Sequence, residues 1–464
     1  MAKSKGVSVG RRNFLKGAMG GGAFERIDSA SHSGGLKSPG EESGSAAVNA
    51  EGTTANADPA TKPQGLTADS RNIEDGKGDD TFQEIHQTLR SGGPEALFDL
   101  LALRFREEKK YGQLLEARLM KTRWELGLPL VRSELLADLP EDARRAYEDG
   151  LTQAAREVGA LYLADGDVER AWPYFRAAGE TAPVAQAIES VEAKEGIDRI
   201  IEIAYFERVN PRKGFELTLA QFGLCRAITV FPQYPQREGR EECLRLLVRT
   251  LHDDLVRNLK RAITSQEGQE PDTQNVPELI RGRDWLFDGS NYYVDTTHLV
   301  SVLQYSIEST DPETLAMALE FTEYGSRLSP LFQYKGTPPF ENVYPDHAFY
   351  LRALLGDDPE ASLAHLREKL TAGDSGMDGN VAAQALVRLL VRLGRYSEAI
   401  DVSAQYLGDA DPSQLACPTL FHLCQLAGDY KRLMELARER GDLLNYTAGA
   451  LQPVPTRTGE TRES

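Results

Sequence analysis

Cysteine is scarce in this chain of 464 residues, and the positions of its cysteines exclude the common cysteine-based architectures. The four cysteines are Cys225, Cys243, Cys417 and Cys424. They form no CxxC pair and no cluster, which argues against a structural zinc site. Cys417 and Cys424 lie seven residues apart, two helical turns, on one apolar face, which is typical of small buried thiols. We therefore expect no metal site and no cofactor.

Long runs of one kind of residue are also missing. The net charge is −18, and no run of lysine and arginine is long enough to follow a phosphate backbone, so we expect no nucleic-acid partner. No stretch of ~18 uninterrupted apolar residues occurs, so we expect no transmembrane segment. The signatures of nucleotide-binding loops, zinc proteases and serine hydrolases are absent as well. The sequence therefore indicates no particular reaction, and it identifies no small-molecule ligand.

Aromatic residues are missing from residues 25–81, where Gly, Ser, Ala, Asn, Asp and Thr dominate. Such a segment cannot bury enough apolar surface to offset the entropy of its chain. We therefore predict a disordered linker over residues 25–80. The polar composition of residues 452–464 predicts a disordered tail for the same reason.

The first 24 residues carry five basic side chains and no acidic one, as expected of the first region of an export signal. The stretch GRRNFLKGAMGGGAF contains the pair Arg11 and Arg12 followed by Phe, Leu and Lys. It resembles a twin-arginine (Tat) signal, although Gly10 replaces the usual Ser or Thr and the apolar segment is short. The resemblance implies a bacterial protein whose residues 1–24 direct it out of the cytoplasm, to the periplasm. Without a working signal the protein would be cytoplasmic.

The body of the chain has the apolar periodicity of helices. Apolar residues recur three and four positions apart, as in Leu97, Leu100, Leu101 and Phe105, which is the spacing of one helical face. Strand-like alternation is almost missing. Short breakers such as LADGD and LGDDPE separate segments of ~10–20 residues, so consecutive helices should pack as antiparallel neighbours. The sequence predicts an all-α fold.

The longest break in this pattern predicts how the body is divided. The stretch TSQEGQEPDTQNVPE is rich in polar residues and breakers, and it predicts a loop over residues 264–280. We therefore expect an N-terminal helical half over residues 81–263. A C-terminal helical half should follow over residues 281–451.

One stretch, VGALYLADGDVERAWPYFRAAGETAP, places small, aromatic and turn-forming residues at fixed distances. These residues are Gly159, Tyr162, Gly166, Ala171, Phe175, Ala178 and Pro183. The stretch resembles a tetratricopeptide repeat (TPR), a helix–turn–helix unit of ~34 residues. The resemblance implies that Gly159 and Ala171 are small where the two helices cross. It also implies that Tyr162 and Phe175 fill the space to the next hairpin, and that Pro183 ends the second helix.

Two turns near the C-terminus share a Gly-x-Tyr pattern, in LGRYSEAI and AGDYKRLM. Their glycines, Gly394 and Gly428, are 34 residues apart, which is one repeat period. Ala399 takes the small crossing position in the first of these units, and Leu433 takes it in the second. Together with the earlier stretch, the resemblance implies an α-solenoid of antiparallel TPR-like hairpins.

Two Asp/His pairs are the strongest candidates for chemistry. Asp295 and His298 lie in SNYYVDTTHLV, and Asp346 and His347 lie in NVYPDHAFYL. Each pair stands at the predicted start of a helix, where an Asp can accept a backbone amide as the N-cap. The pairs could instead converge on a divalent metal, or form an acid–base site in an aromatic-lined cleft as in carbohydrate-active helical toroids. We favour capping, because the spacing does not require the pairs to meet.

Aromatic residues accompany both pairs. Trp285, Tyr292 and Tyr293 precede the first pair, and the loop LFQYKGTPPFENVYP carries Tyr344 and other aromatics next to the second. Aromatics in such segments either fold into the core or are offered to a partner. Trp285, Tyr292, Tyr293 and Tyr344 are the candidate binding residues, although for the first three core packing between helices is favoured over a ligand platform.

These observations predict a non-catalytic scaffold or adaptor that binds a peptide or a protein partner in a concave groove, as the TPR resemblance implies. The alternative is an exported helical enzyme that acts on a glycan or another polymer through the two Asp/His pairs. The two hypotheses differ in whether the four side chains converge on one exposed pocket.

Overall fold

The computed structural model describes residues 75–131, 139–372, 377–408 and 410–452. These ranges are helical, and no β-strand occurs within them, which confirms the all-α prediction. No helix in them is both long and apolar enough to cross a lipid bilayer. The predicted signal, the predicted linker up to residue 74 and the predicted tail from residue 453 lie outside the described residues.

The contacts of the chain divide it into two compact units. The first comprises the described residues up to Glu192 together with Gly196–Asn210, and the second comprises Ala193–Glu195 together with the described residues from Pro211 onward. The break predicted at residues 264–280 as the boundary between two halves therefore lies within the second unit. The physical reason is that the helix before this break packs against helices that follow it.

The first unit is a series of helices in which each of the first five packs against its neighbour in the chain. They are α1 (Asp75–Glu107), α2 (Tyr111–Glu125), α3 (Glu141–Ala164), α4 (Val168–Ala178), α5 (Ala182–Glu189) and α6 (Asp198–Ile201). α1 begins at Asp75, so residues 75–80 of the predicted disordered linker are helical, which corrects that part of the prediction. The helix is interrupted at Gly93, whose φ of 74° is not helical.

The hairpin of α3 and α4 contains the TPR-like stretch. Gly166 adopts a φ of 78° in the turn, a conformation that glycine reaches without steric cost. The carboxylate of Asp167 then accepts the amide of Arg170 at 2.9 Å and caps the start of α4. Gly159 lies against the ring of Phe175, because a Cβ built at Gly159 would be 2.8 Å from that ring. Phe175 thus packs within its own hairpin, and its contact with the next hairpin stays a prediction.

Tyr162 and Pro183 are two further residues of this stretch for which the TPR resemblance implied a role. Tyr162 does reach a neighbouring helix: its ring meets that of Tyr111 on α2 edge-on, with centroids 4.9 Å apart. Pro183, by contrast, does not end α4. That helix ends at the half-buried Ala178, and Gly179 follows it with a φ of 76°. Pro183 lies in the first turn of α5, where a missing amide hydrogen removes no intrahelical bond.

The second unit contains the remaining helices. They are α7 (Pro211–Val230), α8 (Arg240–Glu267), α9 (Val276–Ile280), α10 (Thr296–Ser306), α11 (Pro312–Ser326), α12 (Val343–Leu355), α13 (Pro359–Ala372), α14 (Met377–Arg392), α15 (Tyr396–Tyr406), α16 (Leu420–Ala427), α17 (Tyr430–Glu439) and α18 (Leu443–Leu451). α8 packs against α7, α9, α10 and α11, and from α11 to α18 each helix packs against the next. Leu247, Leu251 and Leu255 of α8 are buried at helical spacing, which makes this helix the centre of the core.

The turns that contain Gly166, Gly394 and Gly428 are built alike, since each glycine has a positive φ. In each turn the amide after the glycine donates to the carbonyl five residues before it, a helix-ending hydrogen bond. The donor and acceptor pairs are Asp167 and Tyr162 (2.8 Å), Arg395 and Leu390 (2.8 Å), and Asp429 and Cys424 (2.9 Å). Ala399, at the predicted small crossing position, is fully buried. The same local geometry therefore recurs at all three sites of the TPR resemblance.

Candidate functional site

Asp295 is the N-cap of α10. Its carboxylate accepts the amides of Thr297 at 2.8 Å and His298 at 3.3 Å, and it also accepts the Thr297 hydroxyl at 2.6 Å. The Thr297 side-chain bond, with the two amide bonds, lowers the pKa of the Asp295 carboxyl. The prediction that Asp295 caps a helix is confirmed.

Asp346 has a different role from the one predicted. α12 begins at Val343 with Asn342 as its N-cap, so Asp346 lies inside the helix. Pro345 does not mark the helix start, because the first-turn amides of a helix have no intrahelical acceptors and a proline is tolerated there. The carboxylate of Asp346 instead accepts the amide of Asn342 at 2.8 Å. Asp346 therefore supports the cap from within the helix.

Asp346 is also the centre of a buried charge network. It is 2% exposed, and its two oxygens contact His365 Nε2 at 2.8 Å and Lys369 Nζ at 2.9 Å. Lys369 bonds Glu341 as well. Burial alone would lower the pKa of Lys369, but the bonds to Glu341 and Asp346 outweigh it and raise the pKa. The sequence analysis missed His365 and Lys369, although their i, i+4 spacing on one helix places them on the same face.

His347 is enclosed in the core of the second unit. Its side chain is 1% exposed, Nδ1 lies 2.7 Å from the carbonyl oxygen of Val343, and the ring stacks on Phe340 at 4.4 Å. Burial lowers the pKa of the imidazole to about 4, so His347 is neutral near pH 7. A neutral imidazole whose Nδ1 faces a carbonyl oxygen donates its hydrogen to that oxygen.

The two Asp/His pairs do not form one site in the described part of the chain. No hydrogen bond or ion pair there joins Asp295 or His298 to Asp346 or His347. Nor do three or more His, Cys, Asp and Glu side chains come together in a group that could hold a metal ion within those ranges. Asp295, Asp346 and His347 make internal contacts instead, and His298 is half-buried.

The four candidate aromatic residues differ in how far they are exposed. Tyr344 is 1% exposed and lies against Gly325, where an added Cβ would approach its ring to 2.1 Å. Tyr293 and Trp285 are half-buried. Tyr292 is 55% exposed and meets Phe332 edge-on at 5.2 Å. Tyr344 is therefore a core residue and is not exposed to a partner.

A groove of about 510 Å³ lies between α9, α11 and α12 in the second unit. Its apolar lining is Pro277 and Ile280 from α9 and Pro345, Ala348 and Phe349 from α12. Phe349 is half-buried in this groove, and its ring stacks on the imidazole of His365, with centroids 4.3 Å apart. The buried network around Asp346 therefore positions the aromatic side chain that lines the groove.

Polar side chains line the rest of the groove. Arg281, Arg327 and Arg352 contribute three guanidinium groups, and Glu323 contributes one carboxylate. This lining is locally basic in a chain whose net charge is −18. The sequence analysis did not find this site, because its arginines come from three different helical segments and form no cluster in the sequence.

The α9 wall of the groove is fixed by a second buried pair of histidine and carboxylate. Glu320 on α11 accepts the amide of Val276 at 2.8 Å and the side-chain amide of Asn275 at 2.8 Å. The same carboxylate lies 2.9 Å from Nε2 of His252, which is 8% exposed. These bonds anchor the start of α9 to α8 and α11. Both walls of the groove are therefore held by buried polar contacts, so the site is formed before any ligand arrives.

Comparisons with protein-family models, with curated proteins and with solved structures found no match for this chain. The TPR and Tat resemblances therefore remain predictions drawn from the sequence. The groove and its lining, by contrast, are observed in the structure of the second unit.

Proposed function

We propose that this protein is a non-catalytic scaffold or adaptor, an α-solenoid of TPR-like hairpins that binds a peptide or protein partner. The observation that supports this most is the groove between α9, α11 and α12. It combines an apolar lining with exposed charged side chains and has preformed walls, which is the usual composition of a recognition site. A segment of a partner that lies in this groove can bury an apolar side chain against Phe349.

The positions of three of the four Asp/His side chains also support a binding role. Asp295 caps α10, Asp346 lies in a buried ion pair, and His347 is enclosed in the core. A general acid or base must reach the atom whose proton it transfers. No observation on these residues favours the alternative of a glycan-processing enzyme.

The recurring turns support the repeat architecture. Three turns, at Gly166, Gly394 and Gly428, share the positive φ and the same helix-ending hydrogen bond. Sequential packing from α11 to α18 is what a chain of hairpins requires, since each repeat of a solenoid contacts its neighbours. We infer the solenoid from these local features.

The proposed binding function can be tested with a variant whose groove is filled by a larger side chain. Ala348 is half-buried in the lining, so Ala348→Trp should place an indole in the space that the partner occupies. The full chain and this variant would each be used as bait in an extract of the source cells, and captured proteins would be quantified by mass spectrometry. We expect at least one protein that is captured by the wild type and lost with Ala348→Trp.

The matched control is Ala364→Trp, which adds the same side chain at an exposed position on α13 outside the groove. It should capture the same proteins as the wild type. Both variants should keep the wild-type helical circular dichroism signal. Identical sets of captured proteins for all three baits would refute the proposed function.

We also propose that residues 1–24 export the protein to the periplasm. The support is the Arg11–Arg12 pair within a basic segment that contains no acidic residue. The test is fractionation of cells that make the full chain with Arg11→Lys and Arg12→Lys, against the wild type. We expect the wild type in the periplasmic fraction and the double variant in the cytoplasm. Wild-type protein found only in the cytoplasm would refute export.

A further inference from the structure

We propose that the groove between α9, α11 and α12 recognises an acidic segment of a partner protein, in which Asp or Glu side chains flank an apolar side chain. This inference rests on the proposed function and adds the chemical class of the ligand. The inference follows from how each of the three groove arginines is paired and from Phe349, which lines the same groove.

Arg281 is an arginine of the groove whose charge is not paired within the described residues. It follows the last residue of α9, it is exposed, and its guanidinium has no hydrogen-bond or ion-pair partner among the described residues. A guanidinium presents five N–H donors in a planar fork that matches a carboxylate. An uncompensated arginine at the edge of a preformed groove is therefore a site for a ligand carboxylate.

Arg352 is a second arginine of the groove, and its charge is only weakly paired. Its only ion pair among the described residues is with Asp357, at 4.0 Å, and both side chains are substantially exposed. An exposed pair at that distance contributes little and is screened by water and salt. A carboxylate that approaches from the groove can replace Asp357 at small cost. Arg281 and Arg352 thus offer two cationic groups to the groove, one from the end of α9 and one from α12.

Arg327 has a different role, because it is already bound. Its guanidinium donates to the carbonyl oxygen of Ile280 and to Asp284, and it stacks over the ring of Phe287 at 4.6 Å. These contacts fix Arg327 at the rim. It contributes positive potential to the groove without being available for a new bidentate contact.

The apolar lining of the groove favours a peptide carboxylate over a phosphate group as the bound anion. Ile280, Pro345 and Phe349 present apolar surface beside the arginines, and His365 holds the ring of Phe349 by stacking. A bare phosphate group or a nucleic-acid backbone would leave this surface uncovered, whereas a Leu or Phe of a peptide would cover it. Glu323 in the same lining would repel a carboxylate placed beside it, so the acidic side chains must sit towards Arg281 and Arg352.

The net charge of the protein makes this recognition selective. With a net charge of −18, the surface as a whole repels acidic peptides. An acidic segment then binds where cationic groups are available, and at the groove Arg281 and the weakly paired Arg352 provide them. Binding should weaken as salt concentration rises, because salt screens the local attraction.

The experiment selects phage-displayed random peptides of about twelve residues, long enough to span a helix-lined groove, on the immobilised full chain. The best peptide is then synthesised with a fluorescent label and titrated against four proteins: the wild type, the double variant Arg281→Gln/Arg352→Gln, Ala348→Trp and Arg257→Gln. Arg257 is the matched control, since it is an exposed arginine with one weak ion pair, to Asp254, outside the groove.

We expect the selected peptides to be enriched in Asp and Glu next to Leu or Phe. The double arginine variant should bind roughly 10-fold more weakly, whereas Arg257→Gln should bind as the wild type does. Ala348→Trp should abolish binding.

Two negative results would have different meanings, since one refutes only the acidic-ligand inference and the other also refutes the proposed function. If Ala348→Trp abolishes binding but acidic residues are not enriched, or the double arginine variant binds like the wild type, the acidic-ligand inference is wrong and groove binding stands. If no selected peptide depends on Ala348, both the inference and the proposed function are wrong.

Discussion

Gly159 on α3 lies directly against the ring of Phe175 on α4, so close that a Cβ at Gly159 would be 2.8 Å from the ring. Real Cβ atoms do not approach a neighbour this closely, so the ring would have to move. Both residues belong to the TPR-like stretch, and Phe175 is 4% exposed. The absence of a side chain at residue 159 is therefore what allows the two helices of this hairpin to approach.

The first prediction tests this contact. Gly159→Ala should lower the free energy of unfolding by about 1–3 kcal/mol, because the added methyl group overpacks the hairpin. Phe175→Ala should cost about 3–5 kcal/mol through the cavity that it leaves. Urea denaturation followed by circular dichroism measures both changes.

The matched control is Gly112→Ala. Gly112 lies within α2, where an added Cβ would meet nothing within 4 Å. Alanine in a helix is favoured over glycine by up to about 1 kcal/mol, so this change should be neutral or stabilising. If Gly159→Ala behaves like Gly112→Ala, the close contact with Phe175 is not as described.

The second prediction concerns Asp295 as a helix cap. Asp295→Ser should leave stability nearly unchanged, since Ser and Asp cap about equally well, whereas Asp295→Ala should cost about 1 kcal/mol. The pKa of Asp295 is lowered in the folded state, so the carboxylate stabilises the fold above its unfolded pKa. That contribution is lost as pH falls through the folded pKa. Thermal melts of the three proteins at pH 7 and at pH 3 test both statements, and a large cost of Asp295→Ser at pH 7 would show a role beyond capping.

The third prediction concerns the buried carboxylate of Asp346. Asp346→Ala should cost about 3–5 kcal/mol, because it leaves Lys369 and His365 without their buried partner. The comparison with Asp295→Ala separates a buried network from a surface cap. Urea midpoints at pH 7 measure the difference. Equal losses for the two alanine variants would mean that the network around Asp346 contributes no more than a cap does.

The fourth prediction is a pH dependence that depends on His347. Burial lowers its pKa from 6.5 to about 4 in the folded protein. Between these two values the unfolded chain binds the proton and the folded protein does not, so stability must fall as pH falls from about 6.5 towards about 4. A shift of this size corresponds to roughly 3 kcal/mol.

His347→Phe fills a similar volume and cannot be protonated, so it should remove this part of the pH dependence. It also loses the bond to the carbonyl oxygen of Val343, which lowers stability at every pH. The measurement is therefore the slope of unfolding free energy between pH 4.5 and pH 7 for each protein, within the range set by the two pKa values. Parallel slopes for the wild type and His347→Phe would show that the imidazole is not held in its neutral form by burial.

Features that depend on neighbours in the sequence were predictable. The apolar spacing of three and four predicted the helices, because a helical face recurs with that period. The cap at Asp295 and the turn at Gly166 were predictable for a similar reason, since an Asp before a helix accepts the next amides and a glycine adopts positive φ at low cost. The helices, the cap and the turn depend only on residues that are close together in the sequence.

Features that depend on distant segments were decided only by the tertiary structure. Asp346 reads as a helix cap in the sequence, but His365 and Lys369 come from the next helix and make it the centre of a buried network. The groove brings α9, α11 and α12 together, so its arginines come from separate helices. The sequence by itself thus determined the helices, the cap at Asp295 and the turn at Gly166. Which side chains meet across helices was set by packing, because the burial of apolar surface is not directional and fixes partners only in the folded chain.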